Sequence, residues 1–224
     1  MIKALPLPTL SMALLLALAV APPARADVVG DPAAGLAKSS MCMGCHGIIN
    51  YQASFPQVFK VPKLAGQNAK YLVAALNEYK KGDRKFPTMR AQAGSLSDQD
   101  IADLAAFFEA QGKSSLKPVA DTTAAAPPAD VAALVSKGAC TSCHGANFNK
   151  PIDAGYPKLA GQHDDYLYAA LTAYATTGNP QVGRNNAIMQ AQIKQFNHQE
   201  LKALADYIGS LPGDVRTVPE SRFR

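Results

Sequence analysis

Tryptophan is absent from this 224-residue chain, aromatic residues make up only 7%, and cysteine occurs four times. Without tryptophan, a domain of modest size has little with which to fill an interior, so a core built from side chains alone is marginal. After the first 26 residues, no stretch approaches the roughly 20 apolar residues that a spanning helix needs, which excludes an integral protein built on such spans. Charge of one sign is also scarce. The formal +5 counts Lys3 and Arg25, and without them 20 Lys and Arg face 17 Asp and Glu, leaving +3. Such a balance argues against a general nucleic-acid or membrane-surface binder. Nothing alternates convincingly with period two, so strand content is expected to be minor.

The N-terminal 26 residues read as a secretory signal, with Lys3 near the start, an apolar run from Leu10 to Ala21 and the small-residue site Ala24-Arg25-Ala26. Cleavage near Ala26 leaves a mature chain of about 198 residues and an exported protein. An uncleaved N-terminal anchor is the rival reading, and the short apolar run counts against it.

What remains is written twice. Pro62-Lys63-Leu64-Ala65-Gly66-Gln67 recurs word for word 95 positions later as Pro157-Lys158-Leu159-Ala160-Gly161-Gln162, and Tyr71-Leu72 recurs as Tyr166-Leu167. Cys42-Met43-Gly44-Cys45-His46 is matched 98 positions on by Cys140-Thr141-Ser142-Cys143-His144, and Arg84, Met89, Leu104 and Ala105 are matched 100 positions on. Two copies at so long a period are a duplicated domain and not a solenoid. The division is a signal over 1–26, domains over 27–112 and 129–212, a Ser/Thr/Ala/Pro-rich linker over 113–128 and a tail over 213–224.

Each copy reads as helical, giving an all-α fold of two tandem domains. Asp31 before Pro32 is an N-cap with proline in the first turn, opening a helix that carries the first CxxCH and stops at Gly47; Asp130 to Gly145 repeats the design. Second helices span about 68–81 and 164–176, with Gly82 and Gly178 at their ends. Third helices open on capping boxes, Ser97 with Asp100 and Asn197 with Glu200.

Both Cys-x-x-Cys-His motifs have the pattern of covalent c-type haem attachment, and together they use every cysteine. Two thiols one helical turn apart reach the two vinyl groups of a porphyrin, and the next imidazole is held under the iron. Two haem c groups are therefore expected, one on Cys42 and Cys45, the other on Cys140 and Cys143. The porphyrin also supplies the missing core, so the apoprotein is expected to be largely unfolded. A shared zinc site or two redox disulfides are the alternatives, and neither explains a histidine after both pairs.

His46 and His144 are the proximal ligand candidates. Met1 and Met12 leave with the signal and Met41 and Met43 are tethered on the proximal side, so the distal candidates are Met89 and Met189. They lie 43 and 45 residues after their histidines, and seven before Leu96 and Phe196. A core methionine is the ordinary alternative for either one. His163 and His198 match Asn68 and Asp98 in the first copy, and so read as surface or cap residues. Pro62 and Pro157 follow the motifs where a carbonyl can accept the proximal ring's other N–H and fix its tautomer. Histidine and methionine together close both faces of the iron, which suits electron transfer and leaves no vacancy for substrate.

The paired CxxCH, the duplicated Pro-Lys-Leu-Ala-Gly-Gln before a Tyr-Leu helix, and the methionine preceding Leu-Ser-Asp-Gln-Asp-Ile-Ala-Asp-Leu-Ala together resemble the dihaem cytochromes c of the cytochrome c4 family. The resemblance covers nearly all of the mature chain. It implies two cytochrome c domains about a pseudo-twofold axis, propionate edges facing across the interface, and a periplasmic carrier passing electrons from a quinol-oxidising complex to a terminal oxidase. A cytochrome subunit of a periplasmic dehydrogenase, of the flavocytochrome c sulfide dehydrogenase type, is the second reading, and a dihaem peroxidase-like or thiosulfate-oxidising enzyme the third. Peripheral membrane association stays open. One departure from the repeat is the apolar segment Ile48 to Val61, three residues longer than its counterpart and a candidate docking surface.

Overall fold

The computed structural model describes residues 28–115 and 126–219. The signal segment read over 1–26, the middle of the linker and the last residues of the tail lie outside them. The first half runs α1 (Pro32–Lys38), α2 (Ser40–His46), the two-residue strands β1 (Gln52–Ala53) and β2 (Phe59–Lys60), α3 (Ala69–Lys81), α4 (Pro87–Gly94) and α5 (Asp98–Ser115). The second half runs α6 (Ala129–Lys137), α7 (Thr141–His144), α8 (Asp164–Ala175), α9 (Ala187–Ile193) and α10 (His198–Ser210). The architecture is mostly helical, and among the described residues the only sheet is the antiparallel pair Gln52↔Lys60 and Ala53↔Phe59.

Local chemistry explains most boundaries. The Asp31 carboxylate accepts from the Ala33 N–H, with Pro32 beginning α1. The single helix expected to carry each motif is broken in both halves. Ser39 turns its hydroxyl back onto the Leu36 carbonyl and separates α1 from α2. In the second half Pro128 is the cap and Asp130 lies in the first turn, while Gly138 ends α6 and Ala139 takes φ 44° before α7. Gly82 closes α3 in the left-handed conformation, φ 86°, whereas α8 already ends at Thr176. Both capping boxes form: Ser97 and Asp100 exchange bonds, as do Asn197 and Glu200. Helices α4 and α9 went unread in the sequence, although Pro87 begins one and the Asn186 side chain caps the other through the Met189 N–H.

Two small apolar clusters form the interior. Met43, Leu72, Ala105, Phe107 and Phe108 gather in the first half; Phe148, Ala160, Leu167, Ala205, Ile208 and Leu211 gather in the second. Long helices cross the N-terminal ones, and at Gly35 a Cβ would stand 2.1 Å from the Asp103 carbonyl of α5, so only glycine permits the crossing.

The halves meet reciprocally through the repeated hexapeptide. Lys63 N–H donates to Gln162 Oε1 at 2.9 Å, and Gln162 Nε2 donates back to the Lys63 carbonyl at 3.0 Å. Lys158 and Gln67 make the same exchange, both bonds at 2.9 Å. Arg84 and Arg184 form an antiparallel bridge beside them. The segment read as a tail also crosses over: Arg216 N–H donates to the Ala65 carbonyl at 3.0 Å, with Val215 buried.

Candidate haem-binding sites

A cavity of about 370 Å³ opens at the first CxxCH and one of about 340 Å³ at the second, so the two are matched in size. Cys42, Cys45, His46, Pro62 and Met89 line the first; Cys140, Cys143, His144, Pro157 and Met189 line the second. Residues separated by more than 40 positions are thus brought to one cavity by α2 and α4, or α7 and α9. Met41 also lines the first cavity, whereas Met43 is buried in the core. His163 and His198 line neither cavity: His163 precedes α8 as its N-cap, and His198 lies 3.3 Å from the Tyr168 hydroxyl.

The imidazoles are fixed by their second nitrogen. His46 Nδ1 lies 2.8 Å from the Pro62 carbonyl oxygen, and His144 Nδ1 lies 3.2 Å from that of Pro157. A carbonyl can only accept, so Nδ1 carries the hydrogen in each ring and Nε2 keeps its lone pair. Burial holds both rings below the ordinary imidazole value, against the opposing pull of the carbonyl, so they stay neutral as a metal ligand must. The four thiols are unpaired, and the two pairs sit in separate cavities, which does not make a shared zinc site.

Each cavity is partly walled by the other half. Tyr166, Ala169 and Ala173 of α8 face the first, and the matched Tyr71, Ala74 and Glu78 of α3 face the second. Arg84 and Arg184 line both. Arg84 pairs with Glu78 and donates to the Tyr71 hydroxyl at 3.2 Å; Arg184 donates to the Tyr166 hydroxyl at 2.9 Å. Their guanidinium carbons also stand 5.4 to 5.6 Å from the rings of Tyr71, Tyr79, Tyr166 and Tyr174. Burial works against the Arg84 charge, and the Glu78 carboxylate paired with it opposes that loss. Burial pushes Tyr71 up to about 12, so that phenol stays neutral. Sequence reading assigned no role to these arginines, and the signal was their exact recurrence.

The residues fit a covalent porphyrin. Each cavity offers two thiols and an imidazole whose Nε2 keeps its lone pair, and the two seam cations, Arg84 and Arg184, line both cavities, where they would face carboxylates of the two groups. A protein of this kind is a two-domain c-type cytochrome. The cytochrome c family model matches residues 32–111 and again 128–212. Cytochrome c4 of Azotobacter vinelandii is 35% identical over 205 residues, covering 83% of this chain and 91% of the relative. The crystal structure of reduced recombinant cytochrome c4 from Pseudomonas stutzeri superposes with a TM-score of 0.57 at 29% identity, over 82% of this chain and all of that one. A "thiosulfate dehydrogenase electron acceptor" of Stutzerimonas stutzeri (strain A1501) is 29% identical, covering 76% of this chain and 78% of the relative. The chain belongs to the cytochrome c4 family: it is a dihaem electron-transfer cytochrome with one covalent haem c in each half.

Proposed function

We propose that the protein is a periplasmic carrier whose two irons are held by His46 with Met89 and by His144 with Met189, taking electrons from a quinol-oxidising complex and delivering them to a terminal oxidase. The observation that carries this reading is the convergence, twice, of a CxxCH and a methionine 43 or 45 positions beyond its histidine on one cavity. When bound, haem c supplies a reversible one-electron couple at each site. The chain's own residues do the rest. Cys42, Cys45, Cys140 and Cys143 tether the group, and the Pro62 and Pro157 carbonyls hold each imidazole in the tautomer that presents Nε2. Met89 and Met189 would hold the iron together with those histidines, and a thioether there would favour the reduced state and leave no place for substrate. This is a carrier's arrangement and not an enzyme's. No helix among the described residues is long and apolar enough to cross a membrane.

A second reading has support of its own: a relative named as the electron acceptor of thiosulfate dehydrogenase suggests that a periplasmic dehydrogenase is the donor. Gel filtration of native periplasmic protein separates the two, since a stable stoichiometric dehydrogenase partner would sink the free-carrier reading. For the ligands, Met89→Ala and Met189→Ala are each expected to remove half of the thioether-to-iron absorption in the red of the oxidised spectrum. An unchanged spectrum in either variant rejects that methionine.

A further inference from the structure

The hexapeptide that joins the halves also holds the histidines, and it does both through the same atoms. The peptide unit between Pro62 and Lys63 accepts the His46 Nδ1 hydrogen on its oxygen at 2.8 Å and donates its N–H to Gln162 Oε1, in the other half, at 2.9 Å. The unit between Pro157 and Lys158 repeats this, with His144 at 3.2 Å on its oxygen and Gln67 Oε1 at 2.9 Å on its N–H.

An amide is a delocalised unit, so a hydrogen bond at its N–H places more negative charge on its oxygen and makes that oxygen a better acceptor. The glutamines are built to deliver such a bond. They are 3% and 5% exposed, so water competes little. Each side chain is pinned at both ends, because Nε2 donates to the same lysine's carbonyl and Oε1 also accepts the next residue's N–H, that of Asn68 or His163. A better acceptor draws the Nδ1 hydrogen outward and makes Nε2 more electron-rich, which favours oxidised iron and lowers the potential.

We infer that Gln67 and Gln162 are positioning residues that tune across the seam: Gln162 lowers the potential of the first-half haem through the Pro62–Lys63 peptide, and Gln67 lowers that of the second-half haem through Pro157–Lys158. The inference rests on the axial histidines proposed above. A glutamine that merely glued the halves would affect both sites alike, whereas this wiring is crossed. The shorter His46 bond makes the Gln162 arm the stronger.

The test is a redox titration of holoprotein carrying Gln162→Leu or Gln67→Leu, with each wave assigned by NMR. Gln162→Leu is expected to raise the first-half potential and move the second less than half as far; Gln67→Leu is expected to do the converse, with a smaller shift. The Nδ1 hydrogen resonance of the opposite histidine should move upfield in each variant. Equal movement of both waves, or a shift confined to the mutated half, overturns the inference while leaving axial ligation intact. If the leucine variants do not fold, Gln162→Glu and Gln67→Glu keep a stronger acceptor for the lysine N–H. They should then move the opposite half's ring hydrogen downfield, and an unmoved resonance overturns the idea. A wild-type protein without histidine ligation overturns this inference together with the reading beneath it.

Discussion

In the first half, α1 is fastened to α5 by a buried carboxylate. Asp103 is 2% exposed and accepts from the Asp31 N–H at 2.8 Å, Lys38 Nζ at 2.6 Å and Gln99 Nε2 at 2.8 Å. In the second half Ala203 occupies the matched position, and α6 is held to α10 by apolar packing and the Lys137–Glu200 pair at 3.2 Å. The cavity walls show the reverse pattern: Tyr71, Ala74 and Arg84 are mirrored by Tyr166, Ala169 and Arg184, with Glu78 against Ala173 as the exception. What the duplication kept builds the sites and the seam between them. What it let drift fastens each half's periphery and gives each cavity its own charge.

The largest effect that separates the halves is expected at Gly35. Gly35→Ala drives a methyl into the α5 backbone at 2.1 Å and should cost about 3 kcal/mol, the upper end for overpacking. Hydrogen exchange resolved by half should show α1 and α5 opening while α6 and α10 keep their protection. Equal loss in both halves would contradict the comparison.

Acid should divide the halves next. The Asp31 N–H, then Lys38 and Gln99, hold the Asp103 carboxyl at about 2, below its unfolded value of about 3.9. A depressed carboxylate adds stability above the unfolded value and loses it as pH falls through the folded one. Protection of α1 amides should therefore fall between about pH 4 and 2, more steeply than that of α6. Asp103→Ala should shrink that acid step to the part that Asp100 contributes through its own pair with Lys38, and lower the protection of α1 at neutral pH.

A smaller effect belongs to Glu78, which lines the second cavity where Ala173 lines the first. Glu78→Gln removes a negative charge and should raise the second-half potential more than the first, read as unequal movement of two waves. Smallest of all is the exposed pair across the seam, Lys70 with Asp153 at 2.9 Å. Lys70→Ala should leave the thermal midpoint and both potentials unmoved, as exposed ion pairs contribute little.

The motifs and the capping boxes carried the fold because each is local: Asn197 and Glu200, or Asp31 and Pro32, name their partners within a few residues. The cofactor was legible for the same reason, reinforced by recurrence; Met89 and Met189 were singled out by recurrence alone. The breaks at Ser39 and Ala139 were hidden because helical spacing continues through them. Gln67 and Gln162 were visible as repeats yet mute as to purpose, since their partners lie 91 and 99 positions away in the opposite half; Arg84 and Arg184 likewise bridge each other across 100 positions. The longer segment between Ile48 and Val61 behaves in two ways. Phe59 is buried, 5.4 Å from Phe86 and 5.9 Å from Tyr166, while Ile49, Phe55 and Val58 stay exposed.

The central claim is that both sites are closed, and carbon monoxide tests it directly. Added to the fully reduced holoprotein at neutral pH, it is expected to leave the visible spectrum unchanged at both haems, because in the proposed ligation Met89 and Met189 would occupy the position that carbon monoxide needs. A carbon monoxide complex forming at either haem would contradict the account, and would mark that half as an open site.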